Sequence, residues 1–300
     1  MGIFDRFKKQ GAKAPTDYER MSSLGDDSDA WDSLDHDELK QVVIIKCIEY
    51  GVSQDSSRIP GLFELYRYVR ERLDVSDRLE LLSQFALLTE QQKGNGHMGL
   101  MMFLAGDDNR AVLSSAALSL CVMYDPQDDG ELAGPEFVVR TLLSRESDPE
   151  SQGAGLGGVL LLGNKRIMPL LEDAWEQISE EAQLEMTKAK SGFVTVGIVE
   201  FWLNCLENGC SESVFGSVVA AIAKMPVIAQ VPMVLDVERL FPAYAGGEPM
   251  EIISQSSFED YLEEIRLRLE ALEKTESEPK LIPKIFEIWQ NPESFQGTIG

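Results

Sequence analysis

Residues 148–174, DPESQGAGLGGVLLLGNKRIMPLLEDA, decide how this 300-residue chain folds. Within them, 153–162 and 166–178 each read as a helix, and Gly163 between the two can enter the left-handed conformation that ends a helix. Gly153, Gly155 and Gly158 have the spacing of a dinucleotide loop, GxGxxG. Such a loop needs a strand running straight into the glycine turn, whereas here the polar SRESDPESQ comes first. The glycines therefore predict close helix packing through missing side chains. Short helices of this kind cannot bury their apolar surface alone, so their neighbours must complete the core.

Helical spacing continues on both sides. LKQVVIIKCIEY (39–50) is apolar on most of its circumference. IPGLFELYRYVRERL (59–73) sets Leu62, Leu65, Tyr66, Val69 and Leu73 along one stripe. Further helices are predicted over 77–88, 109–124, 135–143, 180–190, 193–206 and 213–225. Ser76, Ser179 and Ser213 are available as N-caps, Pro135 suits a first turn, and Gly51, Gly163 and Gly209 are placed to terminate. Strand alternation is limited to VPMVLDV (231–237), where Pro232 argues against a central strand. Four prolines (226, 232, 242, 249) and two glycines (246, 247) make 226–255 a long connection. Beyond it, Ser256 and Glu259 are spaced as a capping box, and Phe258, Tyr261, Leu262, Ile265, Leu269 and Leu272 form an amphipathic stripe. IPKIFEIWQ (282–290) reads as a short closing helix.

The stretch 148–174 also resembles the core of a HEAT-type helical repeat of the PBS-lyase-like kind. Asp148 and Pro149 match that family's helix opening. Leu162, Gly163 and Asn164 match its turn, and Pro169, Leu170 and Leu171 its second helix. Forty-one residues earlier, DDNRAVLSSAALSLCVMY begins a second copy at Asp107, a spacing that suits a period of roughly 40. The resemblance implies an all-α fold, a right-handed α-solenoid of stacked helix pairs. The expected organisation is a partly disordered basic tip and acidic linker (1–38), the solenoid (39–225), the connection (226–255) and C-terminal helices packing on or capping the solenoid (256–300).

Charge narrows the function classes. Fifty-one acidic against 27 basic residues leave a net charge of −24, a field that repels nucleic acid and anionic surfaces and attracts cationic partners. Four scattered cysteines without a CxxC pair predict reduced, packed thiols. No apolar run reaches the roughly 18 residues of a membrane span, and no signal-peptide pattern opens the chain. The expected compartment is the cytoplasm. The tip carries Phe4, Arg6, Phe7, Lys8 and Lys9, a candidate anchor for weak contact with a membrane surface.

Catalytic patterns are scarce. His36 and His97 are the two histidines, and no HExxH, EF-hand, GxSxG or phosphate-loop motif is present. No metal and no cofactor is expected. The second glycine string, GNGHMG (94–99), reads as a connection between helices. Trp31 stands among acids and is the leading anchor for a partner, because tryptophan concentrates binding energy at interfaces. Asp32, Asp35, Asp37, Asp107, Asp108 and Asp148 are the accompanying partner-binding candidates. Trp175, Phe201, Trp202 and Trp289 are assigned to the core. The expected function is a non-enzymatic acidic scaffold or adaptor that binds a basic protein. One rival is an inhibitor or immunity-type protein neutralising a basic toxin or nuclease-like enzyme, and another is a ligand-binding or enzymatic helical protein with a pocket near the glycine loop.

Overall fold

The computed structural model describes residues 14–53, 56–91, 96–123, 133–164, 166–189, 196–228 and 255–273. The expected anchor residues Phe4, Arg6, Phe7, Lys8 and Lys9, the alternating segment 231–237, the closing helix 282–290 and Trp289 lie outside them. All regular structure among the described residues is helical, and no helix there is long and apolar enough to cross a membrane. The chain forms two compact units, Met1–Met123 and Tyr124–Gly300, so a boundary falls inside the 39–225 body that the sequence suggested.

The first unit contains α1 (Ala14–Asp26), α2 (His36–Ser53), α3 (Ile59–Arg72), α4 (Val75–Gln91), α5 (His97–Gly106) and α6 (Arg110–Met123). Its hub is α5, HMGLMMFLAG, which packs against α2, α3, α4 and α6. Met102, Phe103 and Leu104 are fully buried there. The ring of Phe103 meets Tyr66 edge-on at 4.9 Å and Phe85 at 6.1 Å. Such pairs add about 0.5–1.5 kcal/mol beyond area burial. Reading GNGHMG as a connection is thus corrected at its end: His97 opens α5, and a methyl on Gly99 would lie 2.4 Å from the Phe85 ring.

The stretch 14–38, expected as a polar tip and linker, is helical over Ala14–Asp26 and forms a 3-10 helix at Ser28–Ser33. Its sparse apolar residues hold it down: Met21, Trp31 and Leu34 are all buried. Helix α2 starts at His36 behind a capping box, in which Glu38 N–H donates to Asp35 Oδ1 (2.8 Å) and Asp35 N–H to Glu38 Oε2 (3.3 Å). Gly51 does not end α2, which continues to Ser53. The cap of α4 is Asp74 rather than Ser76, accepting from Asp77 N–H at 2.9 Å.

The second unit contains α7 (Ala133–Leu143), α8 (Pro149–Leu160), α9 (Met168–Gln177), α10 (Glu180–Met186), α11 (Val196–Glu207), α12 (Glu212–Ile228) and α13 (Gln255–Glu273). Among the described helices, α7 touches α9, α9 touches α11 and α11 touches α13, and in a second row α8 touches α10 and α10 touches α12. Gly163 and Gly209 have φ of 63° and 88° and terminate α8 and α11 as the sequence suggested. Ser179 caps α10 through Ala182 N–H. Helix α12 is capped by Ser211, two residues before the expected Ser213. The α8 glycines serve packing: a methyl on Gly153 would lie 2.2 Å from the Ala182 carbonyl oxygen, and one on Gly155 2.3 Å from Leu142. Trp175, Phe201 and Trp202 form an edge-to-face cluster with centroids 4.9–6.0 Å apart, the core role expected of them. Arg268 fastens α13 to α11, donating to Glu200 (2.6 Å), Glu207 (2.7 Å) and Asn204 (3.1 Å).

Candidate interaction site

An unbroken run of one charge sign, DDSDAWDSLDHD, residues 26–37, joins α1 to α2. Its six aspartates, Asp26, Asp27, Asp29, Asp32, Asp35 and Asp37, are all exposed. What orders them is Trp31, the side chain singled out as the partner anchor. That role is corrected. Trp31 is only 6% exposed, its Nε1–H donates to the Leu24 carbonyl at 3.0 Å, and its ring lies 5.3 Å from that of Tyr68 on α3. An indole amid acids gains more by covering α3 than by facing water, because large aromatic area dominates the burial term.

Side chains on neighbouring helices fasten the rest of the edge. Tyr68 donates its phenol to Asp32 Oδ1 at 2.5 Å and accepts from Arg72 Nη1 at 2.5 Å, while Arg72 Nη2 reaches the Leu34 carbonyl at 3.4 Å. Burial, and then the Asp32 carboxylate, push the Tyr68 phenol above its ordinary pKa. Asp27 accepts from Asp29 N–H and caps the 3-10 turn. At one end Lys46 meets Asp26 at 2.7 Å and Glu49 at 3.0 Å. At the other, Lys40 Nζ stands among Asp37 (3.1 Å), Asp77 (3.2 Å) and Glu80 (2.7 Å). The hydrogen bond to Glu80 leads in raising the Lys40 pKa, with those to Asp37 and Asp77 adding to it. Among the described residues, no group of three or more His, Cys, Asp or Glu side chains could hold a metal ion. His36 Nδ1 lies 3.1 Å from Asp77 Oδ2.

The remaining candidates separate into surface and structure. Asp32, Asp37 and Asp108 are well exposed, at 87%, 83% and 67% of their side chains. Asp35 is a surface residue that also caps α2. Asp148 caps α8 through Ser151 N–H at 3.2 Å. Asp107 is a correction: it is buried, bound by Arg78 and Tyr66 and by Asn109 N–H. A carboxylate so enclosed offers nothing to a partner. Two hollows flank α3. One of about 230 Å³ lies beneath the acidic edge between Trp31, Lys46, Arg58 and Glu64. The other, about 490 Å³, is lined by Phe63, Tyr66, Arg67 and Arg70. Arg67 and Arg70 were not among the sequence candidates, and the RYVRER run was the only signal for them.

No family model, no curated protein and no solved structure matches this chain.

Proposed function

We propose that this protein is a non-enzymatic interaction module that presents residues 26–37 as a fixed acidic edge to a basic protein surface. The observation that carries the reading is that six exposed aspartates ride on one buried indole. Charges held in place lose little conformational entropy on binding, and a negative field raises the rate of encounter with a cationic partner. The contacts α7–α9–α11 and α8–α10–α12 support reading the helices of the second unit as stacked HEAT-type pairs. A scaffold of that kind keeps an edge rigid without needing a pocket.

The test uses the full chain as bait in a cell lysate, followed by kinetics with the protein captured. Asp26, Asp29 and Asp37 are replaced together by Asn, which removes three charges and no helix-capping side chain. The expected result is slower association in the variant, a steep decline of the wild-type rate with salt, and little change in dissociation. Equal association rates for the two proteins at low salt would remove the reading.

A further inference from the structure

Phe63, Glu64, Arg67 and Arg70 recur along α3 at the spacing of one helix face, and all four line the hollow of about 490 Å³. Helix α5 ends at the same hollow with Gly106. A methyl there would stand 3.0 Å from the Tyr66 ring and 4.0 Å from that of Phe63, so the missing side chain leaves room beside both rings. The two guanidiniums are held differently. Arg70 Nη1 donates to the Gly106 carbonyl at 2.9 Å and lies 3.4 Å from Asp108, which fixes it at the rim and answers its charge. Arg67 and Glu64 are both exposed, and neither side chain has a hydrogen bond or an ion pair among the described residues. They do not pair with each other either, although residues three apart on a helix are neighbours. One hollow thus presents an unanswered cation, an unanswered anion and an aromatic ring.

We propose that this hollow binds a free α-amino acid with an apolar side chain: the carboxylate pairs with Arg67, the ammonium with Glu64, and the side chain lies against Phe63. The acidic edge takes no part in it. The volume falls within the range of about 300–1,000 Å³ usual for small-molecule sites, where apolar and aromatic walls carry a few polar groups that fix orientation. A guanidinium offers a planar fork of donors that matches a carboxylate, and an ammonium brings three donors to a carboxylate acceptor. Charge selects the zwitterion. With Arg70 answered by Asp108, the hollow has one charge of each sign to satisfy and no net charge to neutralise. A simple carboxylic acid would leave Glu64 unpaired and close to a like charge, and a phosphate monoester would add a second negative charge beside it. Tyr66 supplies only its ring, because its hydroxyl is committed to Asp107.

The test titrates the full-length protein into three fluorinated probes and follows each by fluorine NMR. The probes are 4-(trifluoromethyl)phenylalanine, its carboxamide, which lacks the carboxylate, and its N-acetyl derivative, which lacks the ammonium. The amino acid should bind saturably, and each derivative about tenfold or more weakly, the loss expected when one charged hydrogen-bonded pair is removed. Two variants assign the contacts. Arg67→Gln should weaken the amino acid and the N-acetyl derivative and leave the carboxamide unchanged. Glu64→Gln should weaken the amino acid and the carboxamide and leave the N-acetyl derivative unchanged. Both positions are exposed and neither side chain has a bond in the fold to lose, so both variants keep the native structure. Arg140→Gln, at an exposed arginine of the second unit, should change nothing. Absence of saturable binding by the amino acid would overturn the proposal. So would equal binding of the three probes, or a loss in either variant that is the same for all three.

Discussion

Arg78 and Asp107 face each other inside the first unit, with Arg78 Nη1 3.0 and 2.9 Å from the two carboxylate oxygens. Both side chains are almost wholly enclosed. Tyr66 donates to the same carboxylate at 2.5 Å, and Asn109 N–H donates at 2.8 Å, so every side of the anion is occupied. Arg78 Nε is buried without a hydrogen-bond partner. Burial, and next the Asp107 charge, raise the Tyr66 phenol far above its ordinary pKa. This polar knot joins α3, α4 and the turn before α6.

Removing one charge from such a pair leaves the other desolvated and alone. Asp107→Asn should therefore destabilise the first unit by about 3–5 kcal/mol, and Tyr66→Phe by about 1.5–3 kcal/mol, the range for a hydrogen bond to a charged group. The double change Arg78→Met with Asp107→Leu should cost much less than the two single changes summed, because neither charge is then stranded. Amide hydrogen exchange of the buried α3 and α4 positions, followed in increasing urea, measures all of these in the first unit alone. A loss under about 0.5 kcal/mol for Asp107→Asn, the scale of a surface substitution, would show that the carboxylate is not enclosed.

The acidic edge depends on Trp31. Trp31→Ala should cost about 3–5 kcal/mol by the usual large-to-small penalty, and it should open 26–37 to proteolysis. Trp31→Phe keeps most of the area and loses the Nε1–H bond to Leu24, about 0.5–1.5 kcal/mol. Limited digestion with a protease that cuts before aspartate separates the cases. Equal cleavage in wild type and Trp31→Ala would mean that the indole does not hold the edge.

Helix class was legible wherever apolar residues recur on one stripe. Leu62, Leu65, Tyr66 and Val69 predicted a buried face of α3, and all four are buried. Helix α5 escaped that reading because HMGLMMFLAG is apolar on every side, and without contrast there is no period to detect. Helix α1 and the turn after it were hidden for the opposite reason: Met21, Trp31 and Leu34 are thinly spread among acids, and only tertiary burial shows their worth. Caps were misplaced where two competent residues stand close together, as with Asp74 and Ser76 or Ser211 and Ser213. Asp107 could not be separated from the exposed Asp108 by sequence, since its partner Arg78 comes from a different helix 29 residues away.

His97 gives the first unit a pH dependence of defined sign. Burial holds its imidazole below the ordinary value of 6.5, so below that pH the unfolded chain takes up a proton that the folded chain refuses. Stability from this group is fully present above pH 6.5 and is lost as pH falls through the depressed folded value. His97→Asn should flatten the slope of unfolding free energy between pH 7.5 and 5.5 relative to wild type, the carboxylates being common to both. Parallel slopes in the two proteins would contradict the burial of the ring.

The glycines sort into two groups whose responses to a methyl group should differ in sign. Ala is the better helix former by about 0.5–1 kcal/mol, and at Gly61 on α3 no atom lies within 4 Å of the added carbon. Gly61→Ala should therefore stabilise the protein by about that amount. At Gly153 the same methyl would stand 2.2 Å from the carbonyl oxygen of Ala182, a backbone atom that no rotamer change can move. Helices α8 and α10 would have to separate, so Gly153→Ala should cost about 3 kcal/mol, the upper end of the range typical of overpacking. Gly155→Ala is intermediate, because the 2.3 Å contact is with a terminal methyl of Leu142, which can rotate away. Thermal unfolding of the three variants should give midpoints in the order Gly61→Ala, wild type, Gly155→Ala, Gly153→Ala. Gly153→Ala melting at or above wild type would mean that α8 and α10 are not in backbone contact, and that the glycine string serves something other than packing.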